Sequence, residues 1–318
     1  MKPPLVSVFI AACRTQPDHL RAAIESALAQ TERDIEVLVA DDSADDRLRA
    51  LCTAFADPRL HYMHNQPALG PARNHWAGLA QARGEFFAVL NHDDLLAPRF
   101  LATLMAALRT HPQAVLAFCD HWVCDQSGQV LQGQTEAVSA RWGRSTLAAG
   151  LHQPFVRLVL AQTLPLAMGA LWRRSAVPIE SLAQPGPAQA GPAYDLWLAY
   201  LLARGGGAAC YAPERLSSWR DHAGSLTRQR GADALLGAAL CWQAMAQDPA
   251  CAAWRPAARA RAAAAWADCA LHSLRGRGAV GSAPVSAPRE PRRLALASLR
   301  ARPSWRGMAA WAWATVQV

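Results

Sequence analysis

The chain has 318 residues, 52% hydrophobic and 18% charged, and its formal charge of +8 is carried almost wholly by arginine, Lys2 being the only lysine. That composition excludes a disordered chain and leaves room for one sizeable core plus an appendage. No run of about 20 uncharged apolar residues occurs, which argues against a membrane-spanning helix. The eight cysteines form neither a C-x-x-C pair nor a dense framework, as expected of free thiols in a reducing cytoplasm. Cys119, His121 and Cys124 are of metal-ligating types, but no second cluster completes four ligands.

The opening MKPPLVSVFIAAC has a short apolar stretch behind one lysine, and it reads as a first strand (5–10) and not as a leader. Leu20, Ile24 and Leu28 recur at four-residue spacing, predicting a helix from Asp18 to Gln30. IEVLVA (35–40) is a second strand running straight into Asp41 and Asp42, followed by a helix over 45–56 and a short strand at 60–64. Pro71 opens a helix to about Arg83, EFFAVL (85–90) is a strand, Pro98 opens a helix to about Arg109, and AVLAFC (114–119) is the next strand. Such β-α-β repetition predicts a largely parallel sheet with helices on both faces, whose ligands collect at the carboxyl ends of the strands.

From 120 to 228 the pattern loosens into strands at 166–172 and 208–213 around a helix beginning near Tyr194. The stretch AQPGPAQAGPA (183–193) has no apolar period and reads as a mobile loop, a candidate lid. Beyond 228 the composition turns to Ala-rich helix (231–275), a linker (281–291) and a basic, Trp-rich tail (292–316). The expected division is 1–228, a sheet domain, and 229–318, a helical C-terminal region.

Several constellations could carry chemistry. NHDD (91–94) sets Asp93 beside Asp94 at a strand end, where a divalent cation would stabilise both carboxylates and bridge to a diphosphate. Read structurally, the same residues are a solvated turn capping the next helix. Asp42 follows a strand reaching the same edge and could accept from a nucleobase or a ribose, or serve as a helix cap. Arg73 and Asn74 lie in the first turn after Gly70 and Pro71, where anions are attracted. Asp195 begins a strongly apolar helix, as a base with access to a cleft or as a cap. Arg220 and His222 sit on an extended segment and suit a metal diphosphate as clamp and ligand. The basic residues are dispersed and no nucleic-acid-binding signature appears, so no nucleic acid is expected as partner.

In order the chain offers VSVFIAACR, VLVADDSADD, GPARNHWAGLAQARGEF, LNHDDLLAPRFL, YDLWLAYLLARG and WRDHAGSLT. This succession resembles family 2 glycosyltransferases of the GT-A fold, over roughly residues 5–228. The resemblance implies an α/β fold with a mostly parallel, Rossmann-type sheet. It also implies inverting transfer of a sugar from a nucleotide-sugar donor (UDP-, dTDP- or GDP-linked) to a carbohydrate or lipid-linked hydroxyl acceptor, with Mg²⁺ or Mn²⁺ as cofactor. Surface polysaccharide or lipopolysaccharide synthesis in the cytoplasm follows from it too. On that resemblance Asp42 would contact the base, Asp93 the ribose side of the donor, and Asp94 the metal together with His222. Ala11, Arg73, Asn74, Asn91 and Arg220 would complete the donor contacts, and Asp195 matches the catalytic base.

Two positions depart from the family pattern. Asn91 stands where an Asp is common, and Ala193 stands where an acid often precedes the tyrosine. They keep a catalytically inactive nucleotide-sugar-binding protein of the same fold as the alternative. In the tail, Arg292, Arg293, Arg300, Arg302 and Arg306 interleave with Leu and Trp, as in a helix lying on the inner face of the cytoplasmic membrane or in one docking its Trp face on the protein.

Overall fold

In the computed structural model the predicted alternation becomes β1 (Val6–Ala12), α1 (Pro17–Leu28), β2 (Ile35–Asp41), α2 (Arg47–Thr53), β3 (Leu60–His64), α3 (Pro71–Gln81), β4 (Phe86–Asn91), β5 (Leu95–Leu96), α4 (Phe100–Thr110) and β6 (Ala114–Cys124). There follow α5 (Gln132–Arg141), β7 (Gly150–His152), α6 (Val156–Ala161), β8 (Ala170–Arg173) and, after a helical stretch, β9 (Ala208–Arg220). The structure describes residues 3–222, 224–225, 231–274, 291–301 and 307–308. They divide into two units, Met1–Ile179 with Leu201–Ala223, and Glu180–Tyr200 with Gly224–Val318.

The first unit is a nine-stranded mixed sheet in the order β3-β2-β1-β4-β8-β6-β9-β5, with β7 paired to β9. β1 runs parallel to both β2 and β4, β2 to β3, and β6 to β9, whereas β8 is antiparallel between β4 and β6. Alternation along β1 sends successive residues to opposite faces. Val6, Val8 and Ile10 join Leu20 and Ile24 of α1 and Leu101 and Leu104 of α4 in one core. Phe9 faces the other way and stacks on Phe87 at 6.1 Å between centroids, and Phe87 meets Trp172 at 5.3 Å. Burying each such side chain stabilises the fold by about 1.5–3 kcal/mol.

At the amino ends of the strands, Glu36 of β2 is 2% exposed and lies in register with Ser7 of β1. It accepts from Ser7 Oγ (2.6 Å) and from the Arg83 backbone N–H (2.8 Å), Nε (2.8 Å) and Nη2 (2.6 Å). Burial alone would raise its pKa, but the Ser7 and Arg83 hydrogen bonds outweigh it, and the net shift is downward. A depressed folded-state pKa contributes stability above the unfolded value and loses it as pH falls through the folded one. Arg83 is more than half exposed, which discounts the Coulombic part, so Glu36→Ala is expected to cost about 2–3 kcal/mol, chiefly through the buried Ser7 hydroxyl left short of a partner. Urea unfolding at pH 7 and pH 3 checks this: the gap between wild type and variant should narrow at the lower pH.

In the sheet unit four sequence expectations need correction, the first being the strand expected over 208–213, which runs on to Arg220. The strand expected over 114–119 continues to Cys124, because buried Asp120 is matched by Arg144 Nε and Ser139 Oγ, each at 2.7 Å. The strand expected over 166–172 is shorter and later, Ala170–Arg173. α5, which carries only two buried residues, Thr135 and Ser139, has no apolar stripe to betray it and was not predicted.

The second unit is helical: α7 (Ile179–Leu182, entering from the first unit), α8 (Pro185–Ala188), the first part of α9 (Tyr194–Arg204), α10 (Ala232–Gln247), α11 (Arg255–Leu274) and α12 (Pro291–Ala301). Residues 180–200, which the sequence reading set with the sheet domain, fall here. Trp197 Nε1 donates to the Gly237 carbonyl (3.1 Å) and Tyr200 Oη to Asp248 (2.6 Å). The 183–193 stretch read as a mobile loop is instead α8 and a 3-10 turn over Gly191–Ala193. Gly237 lets α10 approach so closely that a Cβ there would collide with the Ala190 carbonyl. α11 and α12 meet through small residues, with Ala263 accepting from Ser298 Oγ at 2.7 Å. Of the tail 292–316, residues 302–306 (with Arg302 and Arg306) and 309–316 lie outside the described residues, as does the 281–290 part of the linker. Among the described residues no helix is long and apolar enough to cross a membrane.

Candidate active site

Parallel pairing brings the carboxyl ends of β1, β2 and β4 to one edge: Ala11 is level with Ala40 and Asn91, and Ala12 with Asp41. The turns leaving those ends carry most of the acids singled out from the sequence. Asp42 anchors its backbone by donating to the Ala12 carbonyl at 2.8 Å. Its carboxylate accepts from Asn65 Nδ2 (2.7 Å), Leu69 N–H (3.2 Å) and Gly70 N–H (2.8 Å). Gly70 has φ +79°, a value that favours glycine, and so turns the chain into α3. Asp42 thereby holds the 65–70 loop against the sheet edge.

Asn74 is buried, donating to the Ala40 carbonyl (3.1 Å) and accepting from Asn65 (3.0 Å), so its amide ties the loop at Asn65 to the end of β2. Its neighbour Arg73 is exposed in the first turn of α3.

The NHDD turn folds on itself. Asp94 is fully buried, its Oδ1 accepting from the Arg220 backbone N–H (2.9 Å) and its Oδ2 from Asn91 Nδ2 (2.9 Å). Burial first, and the Asp93 charge second, push the Asp94 pKa well above the usual carboxylate range. Asp93 is only partly buried, and its Oδ2 accepts from His222 Nε2 at 2.9 Å. Arg220, also buried, donates from Nε to the Asp93 carbonyl (2.8 Å) and from Nη1 to the Asp125 and Gln126 carbonyls (3.3 and 2.9 Å). It ties the end of β9 to the NHDD turn.

Asp93, Asp94, Asn91, Arg220 and His222 therefore converge, as the sequence suggested, but with different duties. The Asp93–His222 pair keeps a little solvent exposure, about 15% of each side chain, whereas Asp94 is fully buried. An oxygen and an imidazole nitrogen so placed could hold one face of a Mg²⁺ or Mn²⁺ ion whose remaining ligands are phosphate oxygens and water. Among the described residues no group of three or more His, Cys, Asp or Glu side chains is arranged to hold a metal by itself.

Sequence reasoning missed Thr15, His19 and His92 in this neighbourhood. His92 Nδ1 pairs with Thr15 Oγ1 at 2.7 Å, and burial lowers its pKa. His19, in the first turns of α1, packs edge-on against His222 at 5.5 Å between centroids. Burial, then the charges of Arg220 and His222, lower its pKa too. His92 was visible inside the motif; nothing in the local pattern marked His19.

Asp195 belongs to the helical unit. It sits in the first turn of α9, where its Oδ1 accepts from the Leu196 N–H (2.8 Å) and burial raises its pKa. Ala193, two residues earlier, is buried and lies beside Gly237 of α10, so an acid at that position would be desolvated.

Residues 7–150 match the model of glycosyl transferase family 2. The succinoglycan biosynthesis protein ExoO of Rhizobium meliloti is 34% identical over 154 residues, 47% of this chain and 44% of ExoO. The chain spans about half the length of the first curated relatives it matches, from 40% to 59%. In fold it is similar to S. aureus TarS 1-349, solved in complex with UDP-GlcNAc, with a TM-score of 0.65 at 13% identity, covering 96% of this chain and 89% of that one. It is also similar to the mannosyltransferase PcManGT of Pyrobaculum calidifontis, solved with GDP-Man and Mn²⁺, with a TM-score of 0.59 at 16% identity, covering 100% of this chain and 87% of that one. The fold is thus that of the GT-A glycosyltransferases, with helices following the sheet domain.

Proposed function

We propose that the protein is an inverting, metal-assisted glycosyltransferase that moves a sugar from a nucleotide diphosphate to a hydroxyl of a carbohydrate or lipid-linked acceptor, in surface polysaccharide synthesis. The observation that carries the reading is the partly buried Asp93–His222 pair at the sheet edge where β1, β2 and β4 end. The family-model match over residues 7–150 and a relative named for succinoglycan biosynthesis support it, as do structural neighbours holding UDP-GlcNAc and GDP-Man.

In this proposal Asp93 and His222 take the metal, and Asp94, assigned to it by resemblance, instead positions them by anchoring Arg220 and Asn91. When bound, the cation would offset charge building on the departing diphosphate. The 65–70 loop held by Asp42 and Asn74, with Ala11 and exposed Arg73 beside it, receives the nucleotide. Asp195 takes the proton from the attacking acceptor hydroxyl, so that one in-line displacement gives inversion.

Asn91 is no weakened acid in this reading: its amide supplies the donor that Asp94 needs, which an aspartate could not. Ala193 occupies a buried position that would hold an acid only at a desolvation cost. Neither departure then favours an inactive protein.

Thermal shift of the intact chain with UDP, dTDP and GDP, each with and without Mn²⁺, tests donor binding. One nucleotide at about 100 times its Kd should add about 2.7 kcal/mol of stability, and more with the metal than without. Release of sugar from the matching nucleotide sugar then separates an enzyme from a binder. A chain stabilised by no nucleotide diphosphate under either condition would sink the proposal.

A further inference from the structure

A second cleft opens on the sheet unit, with a volume of about 570 Å³, lined by residues of β6, β9, α5 and the turn at Arg144 and sharing none with the Asp93–His222 edge. Its floor is an ion-paired network. Buried Asp120 accepts from Arg144 Nε (2.7 Å) and Ser139 Oγ (2.7 Å), and Arg215 approaches it at 3.6 Å. Arg215 also reaches Glu136 at 3.0 Å, with its guanidinium over the Trp122 ring at 4.6 Å. Arg144 is buried, and its Nη2 has no acceptor among the described residues. Glu214 and Ser145 stand exposed on the lining.

This chemistry selects a ligand class. Three acids (Asp120, Glu136, Glu214) face two arginines, so the cleft is locally neutral to acidic on a chain of net charge +8. A phosphate or a uronate would meet repulsion there. What suits it is an uncharged molecule rich in hydroxyls. Carboxylates accept from hydroxyl O–H groups, the guanidinium and Ser145 donate to their oxygens, and Trp122 supplies apolar surface. The volume is that of a small-ligand site.

Arg215 stands five residues before Arg220 on β9, which at strand rise is about 16 Å. A linear glycan with one end at the Asp93 edge could therefore set an earlier unit in this cleft.

We propose that this cleft binds a neutral sugar unit of the acceptor chain, distal to the reacting end. The inference rests on the transferase reading for its purpose, though not for its binding chemistry. The probes are soluble β-glucan and chitin oligosaccharides, with galacturonate oligomers as the charged comparison. They are presented on an array to the intact protein and to Glu136→Gln/Glu214→Gln, two exposed positions that leave the buried Asp120–Arg144 pair in place. Neutral oligosaccharides should bind wild type, and the double variant should bind them at least about tenfold more weakly, while nucleotide-induced thermal shift stays equal in the two proteins. Wild type binding no neutral oligosaccharide, equal binding by the double variant, or a preference for galacturonate overturns the proposal. Sugar binding that depends on the cleft, in a protein stabilised by no nucleotide, would retain the subsite and remove the transferase.

Discussion

Asp195→Asn is expected to leave nucleotide-induced stabilisation unchanged and to lower sugar transfer about 10²–10⁴-fold, the range for losing a positioned proton acceptor. The pH profile adds a second reading. Burial raises the Asp195 pKa, and a base works only when ionised. Wild-type turnover should therefore be full above that raised value and fall as pH drops through it, on an acid limb lying above the ordinary carboxylate range. The residual activity of the variant should lack that limb. Transfer within a few-fold of wild type would take Asp195 out of the role.

The second large effect separates the two adjacent acids. Asp93→Asn should abolish the extra stabilisation that Mn²⁺ gives to the nucleotide complex and cut transfer by about two to four orders of magnitude, as expected when a charge-bearing metal ligand is lost. His222→Ala should weaken the same Mn²⁺ response. Asp94→Asn should behave differently. It keeps an acceptor for the Arg220 N–H but turns an amide toward Asn91, costing about 1 kcal/mol of stability with the metal response intact. If Asp94→Asn loses the Mn²⁺ response and Asp93→Asn keeps it, the resemblance-based assignment is right and the one drawn from the geometry is wrong.

Much of the sheet was legible because its strands are buried and largely apolar, as at β1 and β2, and because Pro71 marks a helix start. Parallel pairing then follows from β-α-β order, and with it the gathering of Asp42, Asn91 and Asp93 at one edge. What could not be read was the direction each side chain takes in a turn, where neither the strand period nor the helix period applies. Asp93 and Asp94 are equivalent as letters; the Arg220 amide, 126 residues away from Asp94, decides which of them is sealed.

Long-range matching also set the bounds and antiparallel direction of β8, a four-residue insert between β4 and β6 expected over 166–172, and hid the continuation of β6 through Asp120, polar in the sequence yet satisfied by Arg144. The 183–193 stretch failed for a related reason. Its Gly, Pro and Ala lack a period of their own, and α10 orders them by close approach at Gly237.

The loop that Asp42 fastens has a consequence for the energetics of capture. Three donors converge on that carboxylate, so the chain's own hydrogen bonds fix the 65–70 backbone. Under the proposed function, a nucleotide received there would not have to freeze that backbone at about 1–2 kcal/mol per residue, and its affinity would be drawn from contacts instead of being lost to rigidifying a floppy host.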